Sequence, residues 1–387
     1  MKFTKHILRQ VAVAPSSRLS QMMGMFDVEP TLLSTQTWNV KLDLPDNWHV
    51  GVIVGPSGSG KTTVARELFG GHLVRPYSWQ TDHSLLDDFP RNLGIRDIVG
   101  LLSSVGFSSP PAWIRPFGVL STGQQFRVNL ARALAEAMVD GQIKVMDEYS
   151  SVVDRTVARI GSAAVAKTVR RCGLQFIAVT CHYDVLDWLE PDWVYEPATN
   201  QLEVADAARG SVRRRPPIEL EILRTDSSAW TLFKPHHYLS AALHPSAACY
   251  VALIENQPAA FTAVLPFPHP TRSGWREHRT VCLPDFQGVG IGNAMSEFIA
   301  SCYKATCKPY TSTTSHPAMI RHRAKSPLWR MSRAPGLVGG HTGRSSMRKT
   351  GAVTRLTAGF EYIGPARAPE ARQFGLAVCA IEARSVY

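Results

Sequence analysis

Paired cysteines and long apolar runs are both scarce in this 387-residue chain. The seven cysteines are scattered and none forms a Cys-x-x-Cys pair, which argues against a disulfide framework or a thiolate zinc site and for reduced thiols. No apolar run is long enough to cross a bilayer, and Met1-Lys2-Phe3-Thr4-Lys5-His6 lacks the apolar core of a secretory signal. The expectation is a cytoplasmic enzyme with no membrane span. A third absence is local: no acidic residue occurs between Phe298 and Phe360, while Arg321, Arg323, Lys325, Arg330, Arg333, Arg344, Arg348, Lys349 and Arg355 fall there. The net charge of +11 is thus concentrated, and the region 304–355 reads as a surface for the phosphates of DNA or RNA. Trp329 among these cations would stack on an exposed base or belong to the core.

What is present begins with Gly55-Pro56-Ser57-Gly58-Ser59-Gly60-Lys61-Thr62-Thr63, between the apolar run Val50–Val54 and a helical pattern through Phe69. Strand, glycine loop and helix are the context a phosphate loop needs. The loop amides and the helix N-terminus would hold phosphate oxygens, Lys61 would reach the β- and γ-phosphates, and the Thr62 hydroxyl would bind Mg²⁺. Upstream, Trp38–Leu44 alternates like a strand, and Trp38 would stack on adenine or pack in the core. Residues 1–35 show no clear pattern beyond a short helix near Ser16–Phe26, expected to pack on the nucleotide-binding core.

Leu120-Ser121-Thr122-Gly123-Gln124-Gln125 opens a helical pattern, with Ser121 as N-cap. The strand pattern Ile143–Met146 ends at Asp147-Glu148, where Asp147 would hold Mg²⁺ through water and Glu148 would activate the attacking water. Ser151–Asp154 follow, and a later strand pattern, Leu174–Thr180, ends at Cys181-His182. In this order the segments resemble the P-loop, signature, Walker B, D-loop and switch histidine of ABC-type ATPases. The resemblance implies ATP and Mg²⁺ as ligands, Ser121, Gly123 and Gln124 touching nucleotide, and His182 at the γ-phosphate. It also implies an ATP-dependent homodimer in which the signature of one copy completes the site of the other. Gln80 is the candidate Q-loop glutamine, although it lies closer to Lys61 than the family pattern has it.

Ala207–Pro217 reads as a linker, its arginine triplet a solvated hinge or a nucleic-acid contact. Beyond it, Tyr250–Glu255 and Ala259–Pro266 form a hairpin pattern joined by Asn256-Gln257-Pro258. Then come Arg279–Pro284, Gln287-Gly288-Val289-Gly290-Ile291-Gly292, and a helical pattern from Asn293 to Tyr303. Strand, Gln-Gly-x-Gly-x-Gly and helix resemble motif A of the GNAT acetyltransferases. That resemblance implies acetyl-CoA or another acyl-CoA, with its pyrophosphate on Gln287, Gly288, Gly290 and Gly292 and its pantetheine arm along Cys282 and Leu283. Ala229–Ser240 would be the first GNAT helix, with His237 or Tyr238 as acid or base; Glu255 and His316 are further candidates for the base.

The expected fold is α/β, with an ABC-type ATPase domain at 1–208, a basic linker at 209–217 and a GNAT-like domain at 218–387. The expected function is ATP-dependent modification of nucleic acid, an acyl group passing from coenzyme A to a base amine, by analogy with Mom-type phage enzymes. Two alternatives stand beside it: an ATP-gated acetyltransferase of a protein or small amine, and a repair or regulatory ABC ATPase whose GNAT-like part only binds.

Overall fold

The computed structural model describes residues 1–26, 33–206, 210–237, 242–268, 271–337 and 356–379. Its contacts group into two compact units. The first holds residues 1–78, 132–154 and 165–216. The second holds 79–131, 155–164 and 217–387. The division therefore departs from the linear one at 209–217, because the segments flanking the signature make their contacts with the C-terminal half.

In the first unit, β1 (Lys2–Ala12) pairs antiparallel with β2 (Leu33–Asp43) along its whole length. β1 was not legible in the sequence. The helix Ser17–Phe26 forms as expected but buries no side chain, so it does not pack on the core. The second sheet contains β3 (Val50–Val54), β4 (Lys144–Met146), β5 (Phe176–Thr180), β6 (Trp193–Glu196) and β7 (Gln201–Val204), in the order β4-β5-β3-β6-β7. All but β7 run parallel. β3 is buried at every residue, which explains its unbroken apolar run, since a central parallel strand is covered on both faces. Gly51 interrupts that run for a reason: a Cβ there would lie 2.0 Å from the Trp193 ring. Because β3, β4 and β5 are parallel neighbours, the segments after their C-terminal ends emerge along one edge of the sheet.

The expected linker is tied down where it is described. Val212 N–H donates to Pro191 O, Arg213 pairs with Glu203, and Arg215 pairs with Glu190 at 2.9 Å and donates to Trp188 O. Arg215 is thus a half-buried structural cation of the first unit, while Arg213 is exposed and its pair with Glu203 is solvated.

The second unit is built on one seven-stranded sheet: β8 (Glu221–Thr225), β9 (Ala248–Ile254), β10 (Gln257–Phe267), β11 (Gly274–Cys282), β12 (Tyr310–Thr314), β13 (Trp329–Leu337) and β14 (Leu356–Tyr362). The order is β13-β14-β12-β11-β10-β9-β8. The β9–β10 connection is tighter than expected: Glu255 and Asn256 both have positive φ (50° and 63°), as a two-residue type I′ turn requires, and Gln257 and Pro258 already belong to β10. β11 and β12 are parallel neighbours whose pairing is confined to Trp275–Tyr310 and Arg276–Thr311. Beyond those pairs no ladder joins them among the described residues. β11 also carries a bulge: Ala263 opposes Arg279 and Val264 opposes Glu277, leaving His278 without an opposite residue.

Between the diverging parts of β11 and β12 lies a buried ion pair, Glu277 with Arg323, at 2.9 Å. Ser296 Oγ donates to Glu277 at 2.6 Å and Thr280 Oγ1 at 2.7 Å; Ser312 Oγ also donates. Burial works to raise the Glu277 pKa, but Arg323 and the three hydroxyls outweigh it and hold the carboxyl below its ordinary range. Arg323 also lies 4.3 Å over the Trp329 ring, whose Nε1 donates to Glu297. Two members of the basic stretch are therefore core residues, Arg323 at 1% exposure and Trp329 at 5%. Neither is a nucleic-acid contact, because a buried charge paired with a carboxylate has no phosphate to neutralise. Arg330 is exposed but pairs with Glu361 at 2.7 Å. Arg344, Arg348, Lys349 and Arg355 lie outside the described residues.

The expected helix Ala229–Ser240 is helical as far as His236: 3₁₀ turns at Ser227–Ala229 and Lys234–His236 flank the short α-helix Trp230–Phe233, His237 is extended, and residues 238–240 lie outside the described residues.

Candidate functional site

The first site gathers at the C-terminal edge of β3, β4 and β5. Gly55, Gly58 and Gly60 have φ of 156°, 81° and 90°, so the loop uses conformations only glycine adopts freely. Gly60 is the left-handed N-cap of the helix Lys61–Phe69; Ser57 lies in the loop, and Thr62 and Thr63 in the first helical turn. Trp38 does not stand apart to meet adenine: its Nε1 donates to Ser59 O at 3.0 Å, and a Cβ on Gly60 would lie 2.2 Å from it. The indole braces the loop from outside. We expect Gly60→Ala to lose nucleotide binding, because both the left-handed backbone, disfavoured by about 1–2 kcal/mol, and the indole oppose a methyl group. A fluorescent ATP analogue titrated against the folded variant checks this.

Lys61 Nζ bonds to Pro56 O at 2.8 Å. Thr62 Oγ1 donates to Asp147 Oδ1 at 3.1 Å, which brings the two expected Mg²⁺ residues together. The same Asp147 oxygen accepts the Glu148 N–H at 3.0 Å. Glu148 sits at φ 52° with its side chain exposed, its carbonyl accepting the Ser151 N–H and Oγ–H. His182 follows β5, half-buried, its N–H on Thr180 Oγ1 at 3.1 Å. A polyphosphate with a divalent cation fits these residues: Ser59 Oγ is buried without a partner among the described residues, and a hydroxyl beside a carboxylate is a hard-oxygen donor set suited to Mg²⁺.

The signature segment and Gln80 belong to the second unit. Ser121 and Gln124 cap the helix Thr122–Asp140 reciprocally: the Gln124 N–H donates to Ser121 Oγ at 3.4 Å and the Ser121 N–H to Gln124 Oε1 at 3.1 Å. Gln80 is exposed and its N–H donates to Asp88 Oδ2. The preceding Trp79 stacks on Phe117 at 4.5 Å and donates to Asn129 Oδ1.

The second glycine loop repeats the local design of the first. It leaves β11, turns through Pro284–Phe286, and reaches Gly288 (φ 95°) and Gly290 (φ 103°), the latter the left-handed N-cap of the helix Ile291–Lys304. The Cβ position of Gly290 meets nothing within 4 Å, and that of Gly292 only the Cys282 Cβ at 3.8 Å. Asn293 Oδ1, in the first helical turn, is buried without a partner among the described residues. An anion is favoured there by the backbone N–H groups that open the helix at Gly290, not by the Asn293 Oδ1, which can only accept a hydrogen bond. Two expected contacts are already engaged: Cys282 O accepts Gln287 Nε2 at 2.7 Å, and the Leu283 N–H donates to Ala259 O at 2.9 Å. Gln287 is thus a brace of the turn, and the Leu283 N–H is spent on β10. Burial pushes the Cys282 thiol up to about 12, so it carries no reactive thiolate.

The candidate bases separate clearly. Glu255 lies in the β9–β10 turn paired with Arg159, and His316 is half-buried at the N-cap of the helix Pro317–Lys325, its pKa lowered by desolvation. Neither position suits proton transfer to a ligand. Tyr238 lies outside the described residues. His237 follows the Lys234–His236 turn, its ring 5.6 Å from that of Trp230. The sequence reading missed His278, the bulge residue, whose Nε2 accepts the His244 N–H at 3.3 Å. Burial and then Arg279, Arg276, His244 and His237 lower its pKa to about 4, so it is a neutral acceptor at neutral pH and a weak base.

The motifs after β3, β4 and β5 define the N-terminal part as a nucleotide-binding cassette of the ABC type. A curated relative agrees: the Fe(3+) ions import ATP-binding protein FbpC of Pseudomonas fluorescens (strain Pf0-1) is 31% identical over a match covering 33% of this chain. The chain spans less than half, 46%, of that relative's length. Solved structures with similarity include the ATP-binding cassette MJ0796 bound to ADP and Pi (17% identity, 43% of this chain, 89% of that one, TM-score 0.35). The ADP conformation of the cassette MJ1267 is another (18% identity, 52% and 90%, TM-score 0.33). No protein-family model matches the chain. Among the described residues no helix is long and apolar enough to cross a membrane, and no cluster of His, Cys, Asp and Glu could hold a metal ion.

Proposed function

We propose that this protein hydrolyses ATP at its cassette, as a nucleotide-clamped homodimer, and transfers an acyl group from coenzyme A to an amine at its second glycine loop. The observation that carries the reading is the likeness of the two loops: each follows a strand and opens a helix on a left-handed glycine, Gly60 and Gly290. Such a turn collects unpaired backbone N–H groups at the positive end of a helix, where a diphosphate is favoured.

At the cassette, Lys61 and the loop amides bind phosphate, Glu148 orients and deprotonates the attacking water, and His182 contacts the γ-phosphate. Thr62 and Asp147 hold Mg²⁺, which supplies charge for the phosphoryl oxygens. At the second loop, the backbone N–H groups after Gly288 bind the pyrophosphate of coenzyme A, which supplies the activated acyl thioester. The pantetheine part is supported by the edge of β11 beyond the buried Glu277–Arg323 pair, where no ladder joins β12 among the described residues. His237 accepts the proton of the attacking amine.

For the acceptor, a nucleic-acid base amine keeps the exposed Lys308, Arg321, Lys325 and Arg333 in its favour. It loses Arg323 and Trp329. The test is to incubate protein, MgATP and acetyl-CoA with DNA or RNA, following free thiol and nucleoside masses. We expect thiol release together with a nucleoside heavier by one acetyl group. Thiol release with a protein or polyamine acceptor alone replaces the nucleic acid, and none with any amine rejects acyl transfer. His237→Ala should lower thiol release by about 10²-fold or more with acetyl-CoA affinity retained.

A further inference from the structure

We infer that Arg127 couples the signature segment to the acyl-CoA turn, so that ATP held by the signature tightens acyl-CoA binding and acyl-CoA tightens ATP binding in return. This rests on the acyl-CoA reading of the Gln287–Gly292 loop. Every contact that carries it lies within the second unit.

Gly123 of the signature has its Cβ position 3.6 Å from Asp285 Oδ1, so the motif itself abuts the turn. Arg127 stands four residues on, over the same helix face. It is 1% exposed, and its guanidinium donates to Gly106 O at 2.6 Å, to Asp285 O at 2.7 Å, and to Pro284 O. The turn is gripped a second time through Gln287, whose Oε1 accepts the Ser108 N–H at 2.6 Å. A Cβ on Gly288 would lie 2.7 Å from Gly106 Cα and 2.9 Å from Ala164 Cβ. Residues 106–108, Arg127 and Ala164 therefore hold the turn on several sides, while the Cβ position of Gly290, where the helix opens, faces clear space.

A planar guanidinium fixed on three carbonyls is stiff and directional. When nucleotide of the second copy orders the first turn of the signature helix, the carbonyls of Pro284 and Asp285 are ordered with it. A turn already ordered binds its ligand with less entropy to lose. Equilibrium linkage then requires the same factor in both directions.

The test uses full-length Glu148→Gln protein, and calorimetry of acetyl-CoA with and without saturating MgATP. We expect acetyl-CoA to bind at least about fivefold more tightly with MgATP, a modest value for coupled sites, and MgATP to gain equally from acetyl-CoA. With Arg127→Met added, each ligand still binds alone and the factor falls to one; Arg127→Lys restores part of it. Amide exchange at residues 284–292 in the unmodified chain should slow with MgATP, a readout independent of how Arg127 variants fold. Acetyl-CoA affinity and amide exchange both indifferent to MgATP would overturn the coupling and leave the acyl-CoA reading standing. No acetyl-CoA binding in any state would remove that reading and the coupling with it.

Discussion

Replacing Glu148 by Gln is expected to lower steady-state ATP hydrolysis by about 10²–10⁴-fold, the usual worth of a positioned general base, with ATP affinity nearly unchanged. The backbone explains why the side chain is poised for this. Glu148 lies at φ 52°, two residues past the end of β4, a left-handed conformation disfavoured by about 1–2 kcal/mol for a residue with a Cβ. Its N–H on Asp147 and its carbonyl on Ser151 hold it there. With the carboxylate neutralised and nucleotide retained, the ATP-bound pair should persist, so light scattering should report about twice the chain mass with MgATP and the single mass without. Phosphate release at the wild-type rate would mean that another group activates water.

Arg323→Met should be the most damaging single change to the second unit, costing about 3–5 kcal/mol because it strands a buried carboxylate. Glu277, its partner, keeps only neutral hydroxyl donors in that variant. Adding Glu277→Leu removes the stranded charge and should recover most of the loss. Urea unfolding followed by tryptophan emission reads both variants. Equal instability of the single and double variants would show that shape, not charge, dominates. The pair also fixes a pH dependence. Glu277 has its folded pKa held below the unfolded value, so its contribution is present above the ordinary carboxylate range and is lost as pH falls through the depressed folded value. Wild-type stability should therefore fall on acidification with a component absent from the double variant.

The sequence disclosed what is local. Gly55–Thr62 and Gln287–Gly292 announce themselves because a glycine loop between strand and helix is written in consecutive residues, and so is the Ser121–Gln124 cap. Long-range partners were hidden. Arg323 read as one more cation in a basic run, yet it lies on a helix and its carboxylate is 46 residues away on the strand β11. Arg127 falls in the helical pattern that the signature opens, and two of its acceptors are 157 and 158 residues distant. The one local hint was its place between apolar Phe126 and Val128. Trp38 was ambiguous because the same ring can meet adenine or brace a loop, and only the Ser59 carbonyl decides. His278 gave no signal, since a bulge depends on the register of two strands. The helical run at 229–236 was legible in the sequence, while its 3₁₀ end at Lys234–His236 follows from Pro235.

The central claim is that the second glycine loop binds a diphosphate as the first does. Titration calorimetry of the unmodified chain with acetyl-CoA tests it most directly, with Gly290→Ala as comparison because a Cβ there has room but meets a left-handed backbone. One molecule bound per chain, weakened about five- to thirtyfold by the alanine in proportion to that 1–2 kcal/mol, is the expected result. No saturable binding, or equal affinity in both proteins, would contradict it.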